Sequence, residues 1–123
     1  MSQPDIEIYI KEADFDAVHA WLSQAIGSSG EVQHKGQTRQ FLLADRIPAV
    51  WTEKAVGRWH SLWLQSDATP WPDDITCAQA AHHALGIAVR CVPGSWQEAD
   101  GEATADDWLE VKDGSVNPIV WRI

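Results

Sequence analysis

The chain predicts an α+β fold: one mainly antiparallel β-sheet with two helices packed on one face. Three observations predict it. Ile6, Ile8 and Ile10 alternate with Glu7 and Tyr9, the period of a strand buried on one side. Two later segments carry apolar residues at helical spacing, each with an acidic start and a glycine stop. Runs rich in β-branched and aromatic residues lie between and after them, broken by short polar turns. A chain of 123 residues suits one domain, taken here as 1–123, and 45% hydrophobic with 22% charged residues is a globular composition rather than a disordered one.

After the first strand, Asp14 precedes a helical pattern of Phe15, Val18, Leu22, Ala25 and Ile26, with Trp21 at its edge and Gly27 closing it. Asp16 adds negative charge where the helix dipole is positive. Gly27-Ser28-Ser29-Gly30 leaves a helix instead of entering one, so it reads as a flexible connector and not as a phosphate cradle. Glu31 to Ser66 reads as a meander of about three strands, with breaks expected at Lys35-Gly36, Asp45-Arg46 and Val56-Gly57. Pro48 lacks a backbone donor, so pairing in its strand is expected to begin near Ala49. In the last of these strands Trp59, Ser61 and Trp63 share one face, and His60, Leu62 and Leu64 the other. Bulk on both faces marks a central strand.

The stretch from Trp71 to Val92 is the strongest unit in the chain. Pro72, Asp73 and Asp74 start a helix, Gly86 fits the left-handed position that ends one, and Ile87, Val89, Cys91 and Val92 follow as a buried strand. Small residues on the helix, Cys77, Ala78, Ala80, Ala81 and Ala84, let it lie close across the sheet. Residues 93–107 form an acidic loop with five carboxylates and no base. Trp108 to Lys112 and Val116 to Ile123 are then two strands around the hairpin turn Asp113-Gly114, and Asn117-Pro118 marks a bulge or a sheet edge. This order of elements resembles the ferredoxin-like split β-α-β plan extended by strands, a likeness of architecture alone.

Charge narrows the choice of partner. A formal net charge of −9 disfavours phosphate backbones and anionic membrane surfaces. The opening stretch has no basic flank or apolar run of a secretory signal, and no apolar segment approaches the length of a membrane span. Two cysteines, Cys77 and Cys91, read as small buried residues in a reducing compartment, with a single bridge between them left open. The expected location is the cytoplasm.

Familiar catalytic and nucleotide-binding motifs are missing, and no metal or cofactor is expected. His82 and His83 are adjacent on a helix and so diverge around its axis, which makes them poor joint ligands. The acidic loop is the first candidate site. Trp96 offers an aromatic anchor, and Glu98, Asp100, Glu102, Asp106 and Asp107, with Trp108 beside them, set up a field that would steer a basic protein. On that basis the domain is a small acidic interaction module, such as an inhibitor or antidote that covers a cationic surface. The competing expectation is a small-molecule binder or enzyme with a Trp-lined cleft formed by Trp59, Trp63, His60 and Glu53. Self-pairing through Ile119-Val120-Trp121 is a further expectation if that strand lies at an edge.

Overall fold

The alternating isoleucines of β1 (Ile6–Lys11) form the middle of an eight-stranded sheet. The computed structural model describes residues 5–66, 69–92 and 107–121. From β1 the chain passes through α1 (Phe15–Ala25) to β2 (Ser28–Lys35) at the far edge, then returns through β3 (Thr38–Leu43), β4 (Ile47–Val56) and β5 (Trp59–Leu64). Helix α2 (Asp74–Leu85) crosses β1 to reach β6 (Val89–Cys91), and β7 (Asp107–Lys112) and β8 (Ser115–Val120) complete the sheet in the order β2-β3-β4-β5-β1-β6-β7-β8. All neighbouring pairs are antiparallel. The α+β fold with two helices on one face is as the sequence predicts.

Both helices bury their apolar stripes in one core. Phe15, Val18 and Leu22 of α1 and Ile75, Cys77, Ala78 and Ala81 of α2 join Ile6, Ile8, Ile10, Leu43, Trp51, Leu62, Leu64, Val89 and Leu109 from the sheet. Because side chains alternate along a strand, the residues between these project from the opposite, helix-free face. That face positions the candidate site.

Local chemistry explains the helix ends. Asp73 caps α2, its Oδ1 accepting the Thr76 amide at 2.9 Å, an interaction worth about 1 kcal/mol. Gly86 takes the left-handed conformation, φ 69°, and its N–H donates to the His82 carbonyl at 2.8 Å. His82 then ties the helix end to the last hairpin. Its Nε2 accepts the Gly114 amide at 3.0 Å, which leaves the ring proton on Nδ1 to donate to the Ile87 carbonyl at 2.8 Å.

Several sequence expectations are corrected. Ser28 and Ser29 are not a connector but the start of β2, paired with Leu43 and Leu42, while the Gly27 carbonyl accepts the Ala44 amide at 2.8 Å. The meander has four strands. Its turns centre on Gly36-Gln37 and Gly57-Arg58, one residue later than expected. β4 begins at Ile47, and Pro48 pairs with Leu42. Pro48 is tolerated because its backbone polar groups face β5 where that strand has ended, with only its carbonyl engaged, by the Gln65 amide at 2.8 Å.

The outer edge at β8 is blunted. Flanking a two-residue turn, Lys112 and Ser115 form the closing hydrogen-bonded pair, so the alternation leaves Val116, Pro118 and Val120 with backbone groups directed outward. Proline supplies no donor at the middle of those three positions.

Candidate partner-binding face

Strand register assembles the helix-free face in rows. Ser61, Tyr9, Arg90 and Glu110 are successive cross-strand partners through β5, β1, β6 and β7. Gln40, Val50, Trp63 and Glu7 form a second row through β3, β4, β5 and β1. Residues far apart in sequence meet because neighbouring strands run only ~4.8 Å apart.

The first row carries a small second core. The Arg90 guanidinium lies 4.2 Å from the Trp59 ring centre and 4.6 Å from that of Trp121, and its Nε donates to Glu110 Oε2 at 2.9 Å. Tyr9 meets Trp108 and Trp121 edge to face, each at 5.4 Å, and Trp108 meets Trp121 at 4.9 Å. Each cation–ring contact is worth about 0.5–2 kcal/mol when water is kept away. Burial, and secondarily the Glu7 charge, hold the Tyr9 hydroxyl above its usual range. Trp108 is only 6% exposed, and its Nε1 has no hydrogen-bond acceptor among the described residues.

The second row remains open. Trp63 is 38% exposed and donates its indole N–H to Asp5 Oδ2 at 3.1 Å, while Glu7 Oε2 accepts the Ser61 hydroxyl at 3.3 Å. Across β4 from Trp63, Leu42, 43% exposed, lines a cavity of about 520 Å³ with Pro48 and Val50. Phe41, Ala49, Glu31 and glutamines 33, 40 and 65 complete the walls.

Charge is distributed unevenly from end to end. Asp5 and Glu7 lie where β1 begins, Asp73 and Asp74 where α2 begins, and Asp107 where β7 begins, all at the same end of the sheet. The Glu7 amide reaches Asp74 Oδ1 at 3.4 Å, which fixes the helix start against that strand. Lys11, Lys35, Lys54, Arg58 and Lys112 lie at the turns and strand ends of the opposite end, interspersed with Glu12, Glu53 and Asp113. β6 ends at Cys91 and β7 begins at Asp107, both at the carboxylate-rich end.

Of the loop residues singled out in the sequence, Trp96, Glu98, Asp100, Glu102 and Asp106 lie outside the described residues. Asp107 is half-buried at the start of β7, and Trp108 sits in the aromatic cluster. The four residues of the alternative cleft are divided by the sheet. Trp59 and Trp63 project from the helix-free face, whereas His60 projects into the core, 6% exposed and stacked 5.1 Å from Trp51. Glu53 is near His60, accepting the Trp51 indole N–H at 2.7 Å. A bulge in β4 places residues 53–55 opposite His60, and Lys54, held at φ 50°, gives its amide to His60 Nδ1 at 2.8 Å. Burial pulls the imidazole below its ordinary range, and the Glu53 charge opposes that only in part.

His82 is half-buried and His83 exposed, and among the described residues no three histidines, cysteines or carboxylates are grouped to hold a metal ion. Cys77, on the inner face of α2, and Cys91, on β6, are free and buried; desolvation raises both thiols, that of Cys91 to about 12.

The sequence singles out none of Tyr9, Glu7, Asp5 and Arg90 as site residues, and Trp121 only as part of a strand that could self-pair. Glu7 and Tyr9 carry a signal, as the polar half of the β1 alternation, and Arg90 carries one between Val89 and Cys91. Nothing local predicts that these side chains converge. No protein-family model, curated protein or solved structure matches this chain.

Proposed function

We propose that this domain is a small acidic protein-interaction module that covers a cationic surface on another protein, in the manner of an inhibitor or antidote. One observation carries the reading: Asp5, Glu7, Asp73 and Asp107 gather, around the buried Asp74, at the end of the sheet where β6 ends and β7 begins. The sequence between β6 and β7 carries Glu98, Asp100, Glu102 and Asp106, with Trp96 among them as an aromatic residue suited to anchor a partner. Carboxylates concentrated at one pole raise the encounter rate with a basic surface and orient the approach. The overall charge of −9 repels nucleic acid by the same physics.

Pro118 removes the middle donor from the outward edge of β8, which disfavours a second copy pairing through that strand. Free buried thiols suit the cytoplasm as the place of action. No helix among the described residues is long and apolar enough to cross a membrane.

Affinity capture from native lysate tests the proposal, using the full chain at low and at high salt beside the triple variant Glu98→Gln, Asp100→Asn, Glu102→Gln. A basic protein retained by the wild type at low salt, released at high salt and lost by the variant is the expected result. A partner of neutral or acidic surface, held equally at both salts, would overturn it.

A further inference from the structure

We propose that the helix-free face of β3, β4, β5 and β1 is a docking surface for a protein segment that presents an apolar side chain next to an arginine or lysine. This rests on the reading of the domain as an acidic interaction module. Gln40, Val50, Trp63 and Glu7 stand in one cross-strand row, and Leu42 and Pro48 pair one pleat away, so the face runs from apolar to anionic within a few strand spacings. In the cavity of about 520 Å³, Leu42, Pro48 and Val50 meet the apolar side chain, while Glu31 and Gln33 on its wall offer acceptors to the neighbouring cation.

The cation belongs at Trp63. Its indole is held by the Asp5 carboxylate at 3.1 Å, and Glu7 is its cross-strand neighbour, so a cation set against the ring has two carboxylates in reach. The domain builds the same combination on itself one row away, where Arg90 lies over Trp59 and Trp121 and pairs with Glu110. There the cation is the chain's own; at Trp63 no cation of the described residues lies over the ring, and that place is assigned to a partner. Leu42 at 43% and Trp63 at 38% exposure are large apolar side chains on a face that neither helix covers, and the net charge of −9 selects a cationic neighbour over an anionic one.

The full-length ¹⁵N-labelled protein is titrated with a blocked peptide of alternating leucine and arginine, and separately with its leucine–glutamate counterpart. Saturable shifts centred on the amides of Val50, Trp63 and Glu7 and on the Trp63 indole, seen with the first peptide and absent with the second, are expected. Trp63→Ala weakens binding about tenfold or more. Leu42→Gln, an exposed change that leaves the core intact, weakens it severalfold. No saturable shift with the arginine peptide, equal shifts with the glutamate peptide, or shifts untouched by both variants would overturn the proposal. Salt-sensitive binding that maps to Glu98, Asp100 and Glu102, with Trp63 unmoved, overturns this docking surface and leaves the interaction module standing. Indifference to peptide charge removes both.

Discussion

The backbone amide of Lys54 donates to Nδ1 of His60 at 2.8 Å, closing the bulge in β4 over a histidine enclosed by the core. The bond requires an unprotonated nitrogen, and burial keeps the imidazole neutral by lowering its pKa from the ordinary 6.5. The folded state therefore holds its proton less tightly than the unfolded chain. Stability is fully present above the unfolded value and falls as pH drops through about 6.5 toward the lower folded value. Urea denaturation at stepped pH should show this decline, and His60→Gln should flatten it while lowering stability near neutrality by about 1–2 kcal/mol. An unchanged slope in the variant contradicts the assignment.

Cys77 of α2 and Cys91 of β6 are free and buried between helix and sheet, and Cys91 is pushed up to about 12 by desolvation and then by Asp74 and Asp73. Only a minute fraction is thiolate near neutral pH, and the thiolate is the reactive form. A colorimetric disulfide reagent should leave both thiols unmodified in the native protein and titrate both after denaturation. Rapid native reaction at either position would show that the packing of α2 on the sheet does not enclose it.

Arg90 holds the second core together through shape as well as charge. Lysine keeps the charge but lacks the planar group that lies over Trp59 and Trp121 while meeting Glu110. Arg90→Lys should cost about 1–2 kcal/mol in chemical denaturation and alter the near-ultraviolet signal of the tryptophans. Equal stability of the lysine variant would reduce the contact to a simple ion pair.

Pro118 leaves β8 without its middle outward donor. Pro118→Thr restores that donor on an edge where Val120 is 66% exposed. Sedimentation velocity should find the wild type monomeric and the variant self-associating as concentration rises. A wild-type dimer dispersed by substitution at Val120 would show that the edge pairs in spite of the proline.

What was legible in the sequence was local. The isoleucines of β1, the acid-to-glycine frames of both helices and the Asp113-Gly114 turn each carry their signal within a few residues, and each forms the expected element. The start of β2 was missed because serine and glycine have weak strand preference; pairing with β3 holds them. The β4 bulge was missed because its left-handed Lys54 is stabilised by His60, which comes from the next strand. For the site, alternation placed Trp59 and Trp63 on one face and His60 on the other. It did not place Tyr9, Arg90, Trp108 and Trp121 together, because their meeting depends on strand order, which long-range pairing decides.

The salt dependence of partner binding tests the central claim most directly. With the captured basic protein, the dissociation constant of the wild type should weaken about tenfold or more between about 0.05 and 0.5 M salt, and Asp5→Asn with Glu7→Gln should weaken binding and make that dependence shallower. A dissociation constant that stays level across this range, and is the same in the neutralised variant, would contradict the assignment of the carboxylate-rich end as the surface that meets a partner.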